Sequence, residues 1–292
     1  MKIKSNPTRV GLCLLIALIA SFAACKKETS QTSQADTTTF ANVSAESAIS
    51  ADAVSDDIFN NVMGLSDDVT TDAILNRVGS PDSAGTRCFT IQVIPLSPGN
   101  LFPIKTIVDF GTGCTDNYGI TRKGKIITVY SGRLRVPGKI AETTFENFYI
   151  NDVQVNGTHR IENMSTSELL VFNVSVKDGK TEKPNGNYIM WNSNYTVTQV
   201  QGLGTPAWRK DDVFSTNGEA NGAVKTDSVY LAWNSKILEP LIKSVNCKWI
   251  GKGKVGVGKS NTDAAIIDYG DGNCDNKVSL IINGVTREIT LH

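Results

Sequence analysis

The sequence predicts a mainly β protein: an antiparallel meander that forms a curved sheet, an open barrel or a sandwich, with a short N-terminal helical segment. Three observations support this fold class. From residue 87 onward, about ten segments are rich in β-branched and aromatic residues, and most alternate apolar with polar side chains. Turn-forming residues separate these segments, and a cysteine-containing motif occurs twice, early and late in the same region. Alternation indicates one solvated face and one packed face.

The repeated motif is a β-branched residue, Asp, an aromatic residue, Gly-x-Gly, a cysteine and a second Asp. The first copy spans 108–116 and the second spans 267–275, where the cysteine stands one position later. The motif predicts two related units, at about 86–137 and 244–292, that flank a middle sheet. These units are either two tandem subdomains or the two ends of one continuous sheet.

The connections between the predicted strands are short and rich in Asn-Gly, Asp-Gly and Pro-containing sequences, which suit tight turns. Such connections leave no room for crossover helices, so we expect an antiparallel sheet. The predicted turns are Arg122-Lys123-Gly124, Val136-Pro137-Gly138, Asn156-Gly157, Asp178-Gly179, Pro184-Asn185-Gly186, Asn217-Gly218, Asn221-Gly222 and Asn283-Gly284.

Residues 1–24 have the features of a signal peptide: a basic start, an apolar run over 10–20 and small residues before Cys25. The apolar run is about half the roughly 20 residues that span a bilayer. Two interpretations follow, an ordinary secretory signal cleaved after Ala24 or a lipoprotein signal. Cys25 directly after Ala23-Ala24 resembles a bacterial lipobox, which favours diacylation of Cys25 and attachment to the membrane through this lipid.

Three segments follow the signal peptide. Residues 25–45 are polar and predict a lipidated flexible tether. Residues 46–80 predict a helical segment, because an apolar stripe recurs at helical spacing and Gly64 is a natural stop. Acidic residues suit its N-terminal turn. Residues 81–292 form the β body. The stripe consists of Val54, Ile58, Val62 and Leu65, and the acidic residues are Asp52, Asp56 and Asp57.

Charge argues against one class of partner. The chain has 29 basic and 29 acidic residues, and removing the three basic residues of the signal peptide leaves 26 against 29, a net charge of about −3. No basic field remains, so the sequence predicts no nucleic-acid partner.

Cysteine usage predicts disulfides. Cys13 leaves with the signal peptide and Cys25 carries lipid, so four of the six cysteines remain, an even number in an exported chain. Four cysteines allow three pairings, and the repeated spacing favours Cys88–Cys114 and Cys247–Cys274. The chain has no C-x-x-C pair and two histidines, so we predict neither a zinc site nor another metal or cofactor.

The repeated motif has two interpretations. Asp271, Asn273 and Asp275 alternate as calcium ligands do, but Ile282 stands where a calcium loop places a bidentate Glu. The alternative is a glycine turn pinned by a disulfide, in which Asp side chains accept hydrogen bonds from nearby backbone amides. The ligand count favours this structural role.

A resemblance follows from these motifs. The lipobox, the Ser/Thr-rich tether, the first motif copy with Arg122-Lys123-Gly124-Lys125-Ile126, and the closing segment from Asp268 to Asn276 resemble uncharacterised envelope lipoproteins of the Bacteroidetes. The resemblance implies an outer-membrane, lipid-anchored protein on the periplasmic or cell-surface side. It implies no activity.

The sequence contains no Gly-x-Ser-x-Gly, H-E-x-x-H or Walker motif, so it predicts no catalytic residues. His159 is expected to be an exposed strand or turn residue. Flat aromatic side chains on a sheet can stack on sugar rings, so the tryptophans are candidate ligand-facing residues, with core packing as the alternative. They are Trp191, Trp208, Trp233 and Trp249.

The sequence therefore predicts a lipid-anchored envelope protein with a non-enzymatic binding or structural role, and with a glycan or an envelope protein as its partner. One alternative is a glycoside-active enzyme whose carboxylates are assembled by the fold, for which Glu142, Glu146 and Glu162 are the candidates. The other is a carrier of an apolar ligand inside a curved sheet, which requires a long apolar cavity.

Overall fold

A computed structural model describes residues 28–68, 88–116, 119–205, 209–227, 229–259 and 262–291. The predicted signal peptide, Cys25, the segment 69–80, Trp208 and His292 lie outside these ranges. Within them the chain forms one long helix and fourteen β-strands in a single sheet, so the mainly β prediction is confirmed. The elements are α1 (Glu28–Asp68), β1 (Thr90–Pro95), β2 (Ile104–Asp109), β3 (Cys114–Thr115), β4 (Thr121–Tyr130), β5 (Ile140–Ile150), β6 (Val153–Asn163), β7 (Val171–Glu182), β8 (Tyr188–Gln201), β9 (Val213–Thr226), β10 (Val229–Ser244), β11 (Lys252–Lys259), β12 (Thr262–Asp271), β13 (Lys277–Ile282) and β14 (Val285–Thr290), with a 3-10 turn at Arg209–Asp211.

The sheet is an antiparallel meander. Each strand pairs with its neighbours in chain order, except that the short β3 pairs beside β2 on the edge of β4. The sheet is open, and its outer strands are β1 and β14. One sheet rather than two packed sheets accounts for all the described strands, which decides against the sandwich.

The two motif copies occupy the two ends of this one sheet. The first runs from the end of β2 through β3 and is joined to the segment before β1 by the Cys88–Cys114 disulfide. The second runs from the end of β12 into the turn after it and is joined to the segment before β11 by the Cys247–Cys274 disulfide. The predicted disulfide pairing is confirmed, and the arrangement favours two ends of a continuous sheet over tandem subdomains.

Several predicted turns are wrong because their glycines lie inside strands. Those at 122–124, 156–157, 178–179, 217–218 and 221–222 fall within β4, β6, β7 and β9. Register shifts at three of them show that the positive φ serves β-bulges rather than chain reversal. Gly124 is an example, with φ of 81° and the Asn147 carbonyl oxygen 1.9 Å from where a Cβ would stand. The turns at 136–138, 184–186 and 283–284 are confirmed.

The helix is longer than predicted. α1 begins at Glu28, so the segment expected to be a flexible tether is helical from there, and it continues past Gly64 to Asp68. Residues 28–39 belong to one compact unit, and residues from Phe40 onward belong to a second unit that contains the sheet. In the second unit, a stripe of buried small residues, all good helix formers, precedes the predicted apolar stripe. These are Ala41, Ala45, Ala48 and Ala51.

Residues 40–65 of α1 cover one face of the sheet, which we call the inner face. The alanines of α1 belong to one hydrophobic cluster with residues of β7–β13, and Ile58, Val62 and Met63 belong to a second with residues of β2–β8. The strand register also defines a buried row of mostly small or hydroxyl side chains across the sheet. This row is Thr106, Thr128, Thr143, His159, Val176, Ser193, Ala220, Ser235 and Val257. Small side chains on both surfaces leave room for a helix across many strands.

The Tyr130 hydroxyl ties the helix backbone to the sheet, and its loss has a predictable effect. The Tyr130 hydroxyl, at the end of β4, donates to the Val62 carbonyl oxygen at 2.9 Å, and Tyr130 is buried. We expect Tyr130→Phe to lower the free energy of unfolding by about 1 kcal/mol, because the ring packing stays while a buried hydrogen bond is lost. Urea unfolding measures this. Tyr230→Phe, at an exposed ring, is the control and should change nothing; equal effects would contradict the assignment.

Candidate functional site

Three acidic residues of α1 connect the helix to the inner face. Tyr195 Oη donates to Asp52 Oδ1 at 2.7 Å, and Lys243 Nζ pairs with Asp56. The sequence suggested that these acids belong to the first turn of the helix. They lie instead in its middle, where each pairs with a side chain on a strand. Asp57 is the third of these acids.

Asp57 belongs to a three-residue ion-pair network. The Arg122 guanidinium, on β4, donates from Nε to Asp57 Oδ2 at 3.1 Å and from Nη2 to Asp57 Oδ1. Its Nη1 donates to Asp116 Oδ2 at 2.7 Å. Arg122 is buried, so the network joins α1, β4 and the end of the first motif copy in a geometry that favours strong charge-assisted bonds.

Burial perturbs the acids of this interface. Burial raises the pKa of Asp52 to about 6, the hydrogen bond from Tyr195 opposes this, and the charge of Asp56 adds to it. Burial also raises the pKa of Asp56, opposed by Lys243. A carboxyl group with a pKa near neutrality suits proton transfer. The hydrogen-bond partner of Asp52 is Tyr195, a core residue, so this contact holds the helix against the sheet.

His159 is a core residue, so the expectation of an exposed histidine is wrong. It is 1% exposed and lies on the inner face of β6, opposite Thr143. Burial lowers its pKa to about 4, against a smaller opposing effect of the Ser55 backbone. Neither ring nitrogen makes a hydrogen bond within the described part of the chain. The imidazole is therefore neutral at pH 7.

Two of the tryptophans proposed as ligand-facing are core residues, which corrects that prediction. Trp191 and Trp233 are 2% and 1% exposed, because the register of β8 and β10 directs both side chains to the inner face. Each ring lies against a glycine of the adjacent strand. A Cβ at Gly179 would stand 2.7 Å from Trp191 Cε2, and one at Gly222 would stand 2.6 Å from Trp233 Cζ2. The rings fill the space that the glycines leave.

Trp249 is partly buried next to the second disulfide. Its backbone N–H donates to Cys247 Sγ at 3.4 Å, and Lys248 Nζ lies 4.3 Å from the centre of its ring. Trp208 lies outside the described residues. Within the described part of the chain, Trp191 and Trp233 line one depression, although each is almost fully buried.

The motif turns use their Asp side chains as the structural interpretation predicted. Asp109 Oδ1 accepts a hydrogen bond from the Gly111 amide at 2.8 Å, and Asp268 Oδ1 accepts one from the Gly270 amide at 2.9 Å. Asp275 Oδ1 accepts from the amide of Lys277 at 3.0 Å. In the described ranges, no group of three or more His, Cys, Asp or Glu side chains is arranged to hold a metal ion.

The three candidate glutamates lie on strands β5 and β6 and face away from α1. Glu146 pairs with Lys125 at 2.6 Å, and Glu162 pairs with Arg160 at 2.7 Å. Glu142 stands opposite Arg160 in the register. Each is thus placed beside a basic residue on the solvated side of the sheet, an arrangement that is common on exposed strands.

A concavity lies on the opposite side of the sheet from α1, which we call the outer face. This outer depression has a volume of about 670 Å³, within the usual range for ligand sites. Its lining consists of outward-facing side chains together with Gly179, Trp191, Gly222 and Trp233 between them. The outward-facing residues are Asp178, Lys180, Met190, Asn192, Asn221, Ala223, Ala232, Asn234 and Lys259.

A row of three asparagines crosses the outer depression. Asn192 of β8 stands opposite Asn221 of β9, which stands opposite Asn234 of β10, and all three are exposed. The backbone N–H of Asp178 donates to Asn192 Oδ1 at 3.0 Å, which orients the amide at one end of the row. Three neighbouring carboxamides present donors and acceptors side by side.

Apolar and aromatic rows flank the asparagines. The next row toward the β9–β10 turn is Met190, Ala223 and Ala232, and the row after it is Tyr188, Lys225 and Tyr230. Tyr230 is 60% exposed. Lys180 Nζ and Lys225 Nζ lie 5.1 Å and 5.9 Å from the centre of the Tyr188 ring, within cation–π distance.

Sequence reasoning missed this surface because it placed Asn221-Gly222 in a turn. The alternation in β8 did contain the information: Met190, Asn192 and Asn194 alternate with Trp191 and Ser193. The pairing of β8 with β9 and β10, which aligns three asparagines, depends on long-range register that local patterns do not fix.

Comparisons of this chain with protein-family models, with curated proteins and with solved structures find no match. The described part of α1 is not apolar enough for a helix that crosses a membrane.

Proposed function

We propose that this is a non-enzymatic binding protein of the cell envelope, lipid-anchored at Cys25 in the outer membrane, whose outer depression binds an uncharged glycan. One observation carries the proposal: the exposed row of Asn192, Asn221 and Asn234 beside an apolar row and two tyrosines. The anchor rests on the lipobox-like sequence before Cys25.

The chemistry of the three rows matches that of a sugar. Carboxamides donate and accept at once, as vicinal hydroxyl groups do. The methyl and thioether groups of Met190, Ala223 and Ala232 offer an apolar strip for the C–H face of a pyranose, and the Tyr230 ring is exposed for stacking. Lys180 is paired with Glu182 at 2.6 Å, which lowers the net charge at the edge and favours a neutral ligand.

The alternatives have less support. A carrier of an apolar ligand would use the inner face. That face is covered by α1, whose buried residues from Ala41 to Met63 are divided between the two hydrophobic clusters. A glycoside-active enzyme would need convergent acids, and the candidate glutamates lie on the outer face of β5 and β6 beside basic residues. An envelope-protein partner would use the same exposed rows, and the experiment below separates it from a glycan.

A glycan array, followed by calorimetry with the best ligand, tests the proposal. We expect Asn221→Ala to weaken binding by at least about tenfold, because the central amide of the row would be lost. Asn217→Ala is the matched control, since it changes the same residue type on the exposed face of the same strand, outside the depression.

Three results would overturn the proposal. Absence of binding to any glycan is the first, and equal binding by the two variants is the second. The third is hydrolysis of the bound sugar, measured by release of reducing ends, which would establish an enzyme instead.

A further inference from the structure

Three hairpins of the sheet, β5–β6, β7–β8 and β9–β10, each carry a tyrosine on the outer face, close to the hairpin turn. In each hairpin the tyrosine pairs in register with a polar residue of the other strand. The register between the hairpins aligns these pairs, since Gln154 stands opposite Glu182 and Tyr188 stands opposite Lys225. The six side chains therefore form one line across the strands, which we call the tyrosine row. It consists of Tyr149, Gln154, Glu182, Tyr188, Lys225 and Tyr230.

The tyrosine row faces outward because its chain neighbours on the strands are buried on the inner face. Phe148 and Val224, for example, are 0% and 5% exposed and belong to the two hydrophobic clusters. The Asp227 amide donates to Asn187 Oδ1 at 2.8 Å, which ties the turns of two of the hairpins together. The row is therefore part of the sheet framework and not of independent loops.

The outer depression lies between the tyrosine row and the row of three asparagines. Along β8 the outward residues are Tyr188, Met190 and Asn192, so the apolar row at Met190 separates the other two. Successive outward residues of one strand are about 7 Å apart, so the two polar rows are separated by about 14 Å. The short side chains of Ala223 and Ala232 line the space between them. This space runs across the strands, and a glycan within it would do the same.

The spacing of the tyrosine row fits a chain of pyranose rings. Neighbouring strands lie about 4.8 Å apart, so Tyr188 lies about 10 Å from Tyr230, and Tyr149 lies about 14 Å beyond Tyr188. One strand step is comparable to the length of one pyranose unit in an extended β-linked chain. The outer depression extends from β7 to β11 and has room for about four sugars at this spacing. Tyr149, on β5, lies two strands beyond it.

Ion pairs beside the tyrosine row favour a neutral chain. Glu182 is paired with Lys180 at 2.6 Å, and Lys123, which precedes the row on β4, is paired with Asp152 at 3.3 Å. Lys123 Nζ also lies 4.3 Å from the centre of the Tyr149 ring, a cation–π contact that holds the ring in place while Tyr149 stays partly exposed. Charges compensated within the protein offer less attraction to an anionic chain.

We infer that the glycan is a linear, neutral, β-linked polysaccharide that runs across the strands, with Tyr149 stacking on a sugar beyond the outer depression. This inference rests on the proposed glycan function and adds the class of ligand and its direction. An extended β-1,4-linked chain crosses a sheet in a straight line, as the tyrosine row does, whereas an α-1,4-linked glucan coils away from it. Tyrosine rings along that line present flat apolar surfaces to the sugar rings.

Calorimetry with cello- and manno-oligosaccharides of four and six sugars tests the inference, with malto-oligosaccharides of the same lengths for comparison. We expect the parent to bind the hexasaccharide of a β-linked series about tenfold more tightly than the tetrasaccharide. Tyr149→Ala should weaken hexasaccharide binding by about three- to tenfold, because one stacking contact is lost. Its tetrasaccharide binding should be unchanged, which also shows that the variant is folded. Tyr149→Phe is the matched control, since it keeps the ring and should bind both lengths as the parent does.

Equal affinity for four and six sugars would overturn the inference, and so would unchanged hexasaccharide binding by Tyr149→Ala. Tighter binding of malto-oligosaccharides or of an anionic polysaccharide would also overturn it. These results leave the glycan site of the outer depression standing if Asn221→Ala still weakens tetrasaccharide binding. Absence of binding to every glycan would overturn the proposed function and this inference with it, so the two failures are distinguishable.

Discussion

Arg122→Met is expected to lower the free energy of unfolding at pH 7 by about 3 kcal/mol, one of the two largest effects that the structure predicts. The substitution keeps the apolar stem but leaves Asp57 and Asp116 without their shared cation. Removing one partner of a buried pair costs about 3 to 5 kcal/mol, and the lower value applies because the two carboxylates are 19% and 31% exposed. Urea unfolding followed by circular dichroism provides the measurement.

The double variant Arg122→Met, Asp57→Asn should recover much of that loss, because it removes the uncompensated charge on α1 as well. The control is Lys125→Met, which removes the cation of an exposed pair with Glu146 and should leave stability nearly unchanged. Equal losses for Arg122→Met and Lys125→Met would contradict the role of Arg122 as the anchor between α1 and the sheet.

The second large effect concerns Asp52 and His159, whose contributions to the free energy of unfolding depend on pH in opposite directions. Burial raises the pKa of Asp52 from 3.8 to about 6, so the fold favours its protonated form. Its contribution to stability is complete below pH 3.8 and is lost as the pH rises through about 6. Burial lowers the pKa of His159 from 6.5 to about 4, so the fold favours the neutral ring. That contribution is complete above pH 6.5 and is lost as the pH falls through about 4.

The two windows overlap, so the two effects should largely cancel between pH 4 and 6.5 in the parent chain. Asp52→Asn removes the Asp52 effect, so stability should rise with pH across this window by about 2 to 3 kcal/mol more than in the parent, the lower figure reflecting the partial exposure of Asp52. His159→Leu removes the His159 effect. Its stability should fall with pH across the window, relative to the parent, by about 3 kcal/mol.

Urea unfolding at half-unit pH intervals from 4 to 7.5 measures these slopes, and differences from the parent cancel the contribution of all other groups. The double variant should show neither effect. Slopes of the same sign for the two single variants would contradict the assignment of opposite burial effects to Asp52 and His159.

The sequence anticipated the strands better than the turns, for a physical reason. Alternation of apolar and polar residues is a local property that a strand shows wherever it pairs, so the β class and the antiparallel meander could be predicted. Asn-Gly and Asp-Gly pairs supply a positive φ, which serves a hairpin turn or a β-bulge equally well. Only the neighbouring strand distinguishes them, and at Gly157 and Gly218 it continues past the glycine.

The sequence placed the start of the helix too late because the residues that pack its first part against the sheet are small. Apolar periodicity identified Val54, Ile58 and Val62, but the preceding turns pack through alanine and serine. Such residues bury little area, and they matter here because the sheet offers an equally small row beneath them. That complementarity joins residues distant in the chain, so no local window contains it.

The sequence alone determined the repeated motif and the division of each strand into two faces, because these follow from spacing along the chain. The same spacing favoured the disulfides Cys88–Cys114 and Cys247–Cys274, which the structure confirms. The tertiary structure decided which face α1 covers. Because α1 covers that face, Trp191, Trp233 and His159 are buried, and Asn192, Asn221 and Asn234 on the other face are exposed. A period of two separates the faces of a strand but does not say which is covered, since the cover comes from an element far away in the chain.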